Sequence, residues 1–273
     1  MSTPKQSAKQ TKDARREAAR AQAEKMRRAQ DAREKRSRNI LIGVLGGIVV
    51  LVVAVGIVIW SQSQRTLLDA FDGNAPSTAD NHAGITVGAE GEAGTVNDGA
   101  PVMQVYVDFM CPYCGDFEEA NAADLEELRA AGDLTVTYHI MSNLDQLSQG
   151  TNFSTRAANA AATVANDSPE HFVAFVEAMF VNQPEENTAG LSDEEMAAIA
   201  VEVGVPQSVA DTFSAGTYNE WVGVGTSQAN REGVRGTPTV KIDGDNLPET
   251  VNYYNAGALA AYLTEQGAGD VSE

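Results

Sequence analysis

The stretch that decides the fold runs from residue 108 to residue 118 and reads Asp108-Phe109-Met110-Cys111-Pro112-Tyr113-Cys114-Gly115-Asp116-Phe117-Glu118. A β-rich segment, residues 102–109, leads into it, and residues 114–131 contain helix-forming residues with an apolar face. We therefore predict that Cys111 and Cys114 lie where a strand turns into a helix.

Two cysteines separated by two residues at the start of a helix suit thiol-disulfide chemistry. Cys111 would face unpaired amide N–H groups and the positive end of the helix dipole, which stabilise a thiolate. Cys114 would lie one helical turn deeper, so we expect it to be more buried and to act as the resolving partner. Pro112 fits the first turn because its missing N–H is not needed there.

From the residues alone, other uses of this pair remain open. The chain has two cysteines and three histidines, so a zinc site would need carboxylate ligands. A haem attachment site would need His directly after Cys114, where this chain has Gly115. A structural disulfide is a further alternative, although so short a loop contributes little through chain entropy. We expect no metal site, and no cofactor other than a redox-active Cys111–Cys114 disulfide.

The segment 108–118 resembles the active-site segment of DsbA-like bacterial proteins. A second segment, residues 236–244, is similar to the loop that carries a cis-proline opposite the redox cysteines in thioredoxin-fold proteins; it reads Gly236-Thr237-Pro238-Thr239-Val240-Lys241-Ile242-Asp243-Gly244. The likeness spans about residues 85–266. It implies an α/β, thioredoxin-like fold with a helical insertion at about residues 142–232.

The resemblance also implies roles for individual residues. Cys111 would be the attacking cysteine, Cys114 the resolving one and Pro238 the cis-proline. Thr237 and Pro238 would bind substrate, because a cis bond turns the backbone so that Thr237 can pair with an extended substrate strand. An ordinary trans proline at the start of a strand is the alternative for Pro238.

The chain departs from the family pattern at two positions. Tyr113 stands between the cysteines, beside Pro112, where many oxidising members have His, which weakens the case for a very low Cys111 pKa. Val105 occupies the position of the buried acid of thioredoxins, six residues before the first cysteine. We interpret Asp108 as a loop or capping residue rather than a proton shuttle.

The charge of the chain is divided sharply along its length. Residues 1–38 hold 13 of the 19 Lys and Arg against 5 acids, which gives +8, so the remainder of a chain with net charge -19 carries -27. The acidic remainder argues against nucleic-acid binding. Within it we interpret one acidic run as a solvated helix face; its members are Glu118, Glu119, Asp124, Glu126 and Glu127.

Residues 40–60 are 21 consecutive apolar or Gly residues, enough to cross a bilayer as a helix. The basic residues before this segment predict a cytoplasmic N-terminus by the positive-inside rule. We therefore predict a basic cytoplasmic tail (1–39), a transmembrane helix (40–60), an extracytoplasmic tether (61–84) and a DsbA-like thioredoxin domain (85–273). A cleaved signal peptide is the alternative to an uncleaved anchor.

The remaining elements follow from pattern. Helix-start signals occur at Ser168-Pro169-Glu170 and at residues 191–195. Strands are predicted at residues 134–141, 239–242 and 251–254, with a turn at 243–246 and a final helix at 256–266.

These observations predict a single-pass bacterial membrane protein whose outer domain forms disulfides in exported cysteine-containing proteins. The resemblance implies a quinone-linked membrane partner of the DsbB or VKOR type. Two alternatives stay open. One is a disulfide reductase or isomerase that uses the same cysteines, and the other is an anchored, non-catalytic binding module with this fold.

Overall fold

The computed structural model describes residues 4–63 and 65–268. Residues 1–3 of the predicted tail, residue 64 of the predicted tether and residues 269–273 of the predicted domain lie outside the described residues. The chain divides into two compact units, Met1–Arg65 and Thr66–Glu273. Each unit is described by itself.

The N-terminal unit is one long helix, α1 (Pro4–Ser63). Its segment Arg15–Val58 contains an apolar stretch of mean hydropathy 3.0, long enough to cross a membrane. The basic leader therefore continues as helix into the apolar segment. The apolar side chains of residues 40–58 are exposed within this unit, which suits a lipid environment better than water.

Within residues 65–268, the second unit is built on a five-stranded sheet of order β1-β3-β2-β4-β5. The strands are β1 (Ile85–Val87), β2 (Val102–Val107), β3 (Thr135–Ile140), β4 (Thr239–Ile242) and β5 (Asp245–Asn246). The central strands β2 and β3 are parallel, with Val102 opposite Thr135 and Val107 opposite Ile140. The other neighbouring strands pair antiparallel.

Helices cover the sheet and form the insertion. They are α2 (Pro112–Ala130), α3 (Phe153–Asp167), α4 (Phe172–Val181), α5 (Asp193–Glu202), α6 (Gln207–Ala210), α7 (Asn219–Arg231) and α8 (Ala258–Glu265). Helix α2 is the crossover between the parallel strands β2 and β3, and α3 to α7 all lie between β3 and β4. This arrangement agrees with the expected thioredoxin-like fold with a helical insertion.

One large core joins the sheet to the insertion. Phe153, Phe172 and Phe175 of the insertion are fully buried, as is Phe109, which follows β2. The ring centroids of Phe109 and Phe180 are 4.9 Å apart, so α4 packs directly on the turn that carries the cysteines. The insertion is therefore part of the same core as the sheet.

The strand predicted at residues 251–254 is wrong. The backbone there makes turns, in which Val251 N–H donates to the Pro248 carbonyl and Asn255 N–H donates to the Asn252 carbonyl. The Tyr253 carbonyl accepts from the Asn121 side chain instead of a neighbouring strand. The second strand of this hairpin is the short β5, placed inside the predicted turn, because Leu247 N–H already returns to the Val240 carbonyl.

The tether prediction does not hold for residues 66–84, which pack on the folded domain. Leu67 N–H donates to the Gln228 side chain at 2.8 Å, and Ser77 N–H donates to that of Asn166 at 2.9 Å. Ala83 is buried, and β1 follows directly. The polar composition suggested a linker, but several backbone and hydroxyl groups of these residues hydrogen-bond to the insertion helices.

Candidate active site

The cysteine pair lies where β2 ends and α2 begins, as the pattern predicted. Cys111 is the N-cap residue of α2, and Pro112 occupies its first turn. Cys111 N–H donates to the Asp108 carbonyl at 2.9 Å, which closes a tight turn between strand and helix. The Cys111 carbonyl accepts from the N–H of Cys114 at 2.9 Å, so the two residues are one helical turn apart.

Both cysteines are free thiols in this structure. Their side chains hydrogen-bond to each other, so the two sulfurs can form a disulfide after a small movement. Cys111 is 5% exposed and Cys114 is 0% exposed. The outer sulfur is therefore reachable only through a narrow opening.

The two thiols differ strongly in acidity. The hydrogen bond from Cys114 is the largest cause that lowers the pKa of Cys111 to about 6, and burial partly opposes it. The Thr237 side chain and the backbone N–H groups of Cys114 and Tyr113 stabilise the thiolate further. Burial raises the pKa of Cys114 far above its ordinary value, and the Cys111 sulfur adds to this effect. At neutral pH, Cys111 is therefore the thiolate of the pair.

The loop before β4 completes the site. The Thr237–Pro238 peptide bond is cis, as the resemblance implied. In its protonated form the Cys111 thiol donates to the Thr237 carbonyl at 3.2 Å, so this loop covers the outer sulfur. Thr237 and Pro238 are half-buried, and Pro238 borders a cavity of about 650 Å³ whose walls include Val240 and Tyr253.

Tyr113 lies on the surface beside this opening. Its side chain is 62% exposed, and its ring centroid is 6.4 Å from that of Tyr254, which is also exposed. The Tyr113 side chain carries no charge of its own, so the low Cys111 pKa arises without the imidazole found at this position in many oxidising family members. The expectation that losing His weakens thiolate stabilisation is thus offset by hydrogen bonds.

Asp108 is a buried loop residue, as interpreted from the sequence. Its carboxylate accepts hydrogen bonds from Met110 N–H at 2.9 Å, Leu144 N–H at 3.0 Å and the Ser154 hydroxyl at 2.7 Å. Burial raises its pKa to about 6, and these hydrogen bonds oppose that rise. Asp108 therefore joins the cysteine turn to the start of the insertion and to α3.

Sequence reasoning missed Gln183, which follows α4. Its side-chain amide donates to the carbonyls of Phe109 at 2.9 Å and Cys111 at 2.8 Å. A Cβ at Gly115 would meet the Gln183 side-chain oxygen at 2.5 Å, so the glycine leaves room for this contact. A single glutamine about 70 residues from the cysteines carries no sequence signal of such a role.

The prediction of a solvated face is wrong for Glu118, which is 7% exposed. It lies four residues after Cys114 and seven residues before Leu125. This spacing puts the three residues, all of them buried, on one face of the helix. Burial, followed by the nearby charge of Glu177, raises the pKa of Glu118 to about 7. The helical spacing from Cys114 was the signal that could have identified it.

No three His, Cys, Asp or Glu side chains form a metal site within residues 4–63 and 65–268. The groups that the geometry brings together at the site are the two sulfurs, the Thr237–Pro238 loop and the backbone around them.

The pH dependence of alkylation tests the assigned acidity. Iodoacetamide modification of Cys111 in the reduced protein is expected to have its midpoint near pH 6, because only the thiolate reacts. Replacing Cys114 with Ala removes the largest stabilising hydrogen bond, so we expect the midpoint to move upward. Mass spectrometry of the modified peptide measures both; a midpoint in both proteins near that of free cysteine contradicts the assignment.

The family of this chain follows from its similarity to known proteins. A thioredoxin family model matches residues 96–259. Among solved structures, MdbA, a thiol-disulfide oxidoreductase from Actinomyces oris, is 25% identical with a TM-score of 0.60, covering 72% of this chain and 94% of MdbA. Reduced DsbA from Mycobacterium tuberculosis is 30% identical with a TM-score of 0.57, covering 69% of this chain and 93% of DsbA.

Among curated proteins, the serine/threonine-protein kinase PknE of M. tuberculosis is 33% identical over 118 residues, which is 42% of this chain. The chain spans only 21% of the length of that relative, so the likeness concerns one part of the kinase. The family match covers more than half of this chain and includes both cysteines and the cis-proline loop. The chain therefore belongs to the thioredoxin family and is similar, within it, to the DsbA-like thiol-disulfide oxidoreductases.

Proposed function

We propose that this protein is a membrane-anchored thiol-disulfide oxidoreductase that forms disulfides in exported proteins through Cys111 and Cys114. In its oxidised form, a substrate thiolate attacks Cys111; a substrate–Cys111 bond forms as the Cys111–Cys114 bond breaks, and Cys114 leaves. A second substrate thiolate then attacks the substrate sulfur of the mixed disulfide and releases Cys111. Two electrons pass from substrate to protein, which ends as the dithiol.

The observation that carries this proposal is the unequal acidity of the two thiols. A Cys111 thiolate stable at neutral pH is a good leaving group, so the second attack is fast. A stabilised thiolate also favours the reduced protein over its disulfide, which makes that disulfide oxidising. Cys114, fully buried, is placed to close the pair internally rather than to meet substrate.

We assign substrate binding to the Thr237–Pro238 loop. The Thr237 carbonyl lies 3.2 Å from the Cys111 sulfur, so a backbone paired with this residue would bring its own cysteine to Cys111. The exposed Pro112 and Tyr113 would form the opposite border of the opening. Main-chain pairing is tolerant of sequence, which suits an enzyme acting on many unfolded chains.

The proposed location is the bacterial cell membrane, with the N-terminus cytoplasmic and the thioredoxin domain outside. The apolar stretch of α1 and the basic residues before it support this orientation. Disulfides persist outside the cytosol, so the compartment favours oxidation. The reduced protein must then pass its electrons to an acceptor, for which we propose a quinone-linked membrane thiol oxidase of the DsbB or VKOR type.

Trapping of substrates tests the function. The Cys114→Ala variant cannot release its mixed disulfides internally, so it should accumulate exported cysteine-containing proteins joined to Cys111. Mass spectrometry after non-reducing separation identifies them, and the Cys111→Ala, Cys114→Ala double variant is the matched control. In the same cells, alkylation should find the wild-type pair mainly oxidised.

The alternatives give different outcomes. A mainly reduced pair, together with capture of a dedicated reductase and no exported clients, would indicate a reductase or isomerase. If the Cys114→Ala variant captures nothing and client folding is unchanged without Cys111, the domain is a binding module.

A further inference from the structure

A second cavity lies beside the cysteine turn, on the side facing the helical insertion. It has a volume of about 640 Å³ and lies between α2 and α4, with Pro112 and Gly115 at its border. It is thus adjacent to Cys111 but separate from the cavity bordered by the Thr237–Pro238 loop. The thiol exchange proposed above does not use it.

The charged side chains that line this cavity are all acidic. Its walls carry four carboxylates, from Asp116, Glu118, Glu119 and Glu177, and among its described lining residues there is no Lys, Arg or His. Asp116 and Glu119 are exposed and can be solvated, whereas Glu118 is 7% exposed. Arg129 offsets the charge of Glu177 only in part, so burial of the like charges of Glu118 and Glu177 is still costly and the acidic cluster is incomplete as it stands.

The buried and unpaired carboxylate of Glu118 points to a ligand in this cavity. In the part of the chain that the structure describes, no group donates a hydrogen bond to its carboxylate and no cation pairs with it. Buried carboxylates ordinarily have such partners. Its carboxylate helps to line the cavity, and the nearby Glu177 raises its pKa in addition to burial. A cation in the cavity would offset both penalties.

The rest of the lining suits a cation on an aliphatic stem. Ala122, Ala123 and Phe180 form apolar walls, and Val181 is 85% exposed at the edge. Lys and Arg place their methylene groups along apolar surface while the charged end reaches a polar partner. A small inorganic cation would leave these apolar walls unused.

We propose that this cavity is a specificity subsite that receives a lysine or arginine side chain of the substrate polypeptide, close in sequence to the cysteine that reacts with Cys111. The inference rests on the proposed function, since it selects among chains that reach Cys111. The enzyme would then oxidise cysteines with a basic neighbour faster than cysteines with an apolar or acidic one.

Peptide kinetics with the full chain in detergent micelles test this proposal. The Cys114→Ala variant reacts with cysteine peptides activated as mixed disulfides with thionitrobenzoate. The Cys111 thiolate attacks the peptide sulfur, a protein–peptide disulfide forms, and thionitrobenzoate leaves as a coloured thiolate. The peptides carry Lys, norleucine or Glu at each position within three residues of the cysteine.

At one or more positions, we expect Lys peptides to react roughly tenfold faster than norleucine peptides, the effect of one partly buried ion pair, and Glu peptides to react slowest. Adding Glu118→Gln and Glu177→Gln should bring the Lys-to-norleucine ratio close to one. Glu127→Gln, which removes one carboxylate charge at an exposed position of α2, should leave that ratio unchanged.

Two results overturn the subsite: a ratio near one at every position with the cavity intact, or a Lys preference that survives the double Glu replacement. If the double Glu variant does not fold, the rates of the Lys, norleucine and Glu peptides with the Cys114→Ala protein decide whether the subsite exists. Failure of the proposed function looks different: a binding module would react with none of the peptides although iodoacetamide still modifies Cys111, and a reductase or isomerase would be recognised by its mainly reduced cysteine pair in cells.

Discussion

Replacing Cys111 with serine is expected to lower the rate of disulfide transfer to a reduced dithiol peptide by roughly a thousandfold or more. A hydroxyl cannot form the mixed disulfide, and Cys114 is fully buried with a pKa far above neutrality, so it cannot substitute. The measurement is the rate of peptide oxidation by the full chain in micelles, with glutathione disulfide as the final oxidant.

Cys114→Ser is the informative companion to this variant. It retains the attacking sulfur, so with a single-cysteine peptide activated as a mixed disulfide with thionitrobenzoate it should form one protein–peptide disulfide per protein, release one thionitrobenzoate and then stop. Stoichiometric capture by Cys114→Ser and none by Cys111→Ser is the expected pair of results. Equal capture by both variants would contradict the division of labour between an attacking and a resolving cysteine.

Phe175→Ala is expected to lower the free energy of unfolding of the thioredoxin domain by about 3–5 kcal/mol. Phe175 is fully buried on α4, with its ring centroid 5.7 Å from that of Phe213, so truncation leaves a cavity in the shared core. Because α4 also packs on the cysteine turn through Phe180, the site and the insertion should unfold together. Urea unfolding of the full chain in micelles, followed by tryptophan fluorescence and by Cys114 alkylation, measures both.

Val181→Ala on the same helix is the matched control. Its side chain is 85% exposed, so its cost should stay within about 0.5 kcal/mol. A loss below about 1 kcal/mol for Phe175→Ala, or alkylation of Cys114 at a lower urea concentration than the fluorescence change, would show that the insertion is not part of one cooperative core.

The sequence predicted those features of the fold that depend on local pattern. The strand–cysteine–helix junction is one, and the start of α5 is another: Ser192 accepts from Glu195 N–H, and the Glu195 carboxylate accepts from Ser192 N–H, forming the capping box. The cis bond before Pro238 came from resemblance rather than from local pattern, since most X–Pro bonds are trans.

Features that depend on distant contacts could not be predicted. The polar residues 66–84 looked like a linker because their partners, such as Gln228 and Asn166, lie far away in the chain. Tyr253 looked like a strand residue, yet its carbonyl accepts a hydrogen bond from the Asn121 side chain rather than from a neighbouring strand. Gln183 reaches the cysteine turn only once the insertion has folded. Tertiary context overrides local pattern at each of these positions.

The reduction potential of the Cys111–Cys114 pair is the most direct test of the account. The lowered pKa of Cys111 stabilises the dithiol over the disulfide at neutral pH, which raises the reduction potential above that of a pair of ordinary thiols. Equilibration with glutathione should therefore give a value clearly above that of thioredoxin, which is about -270 mV. A value near or below about -270 mV, that of thioredoxin, would contradict the proposed oxidase and favour a reductase.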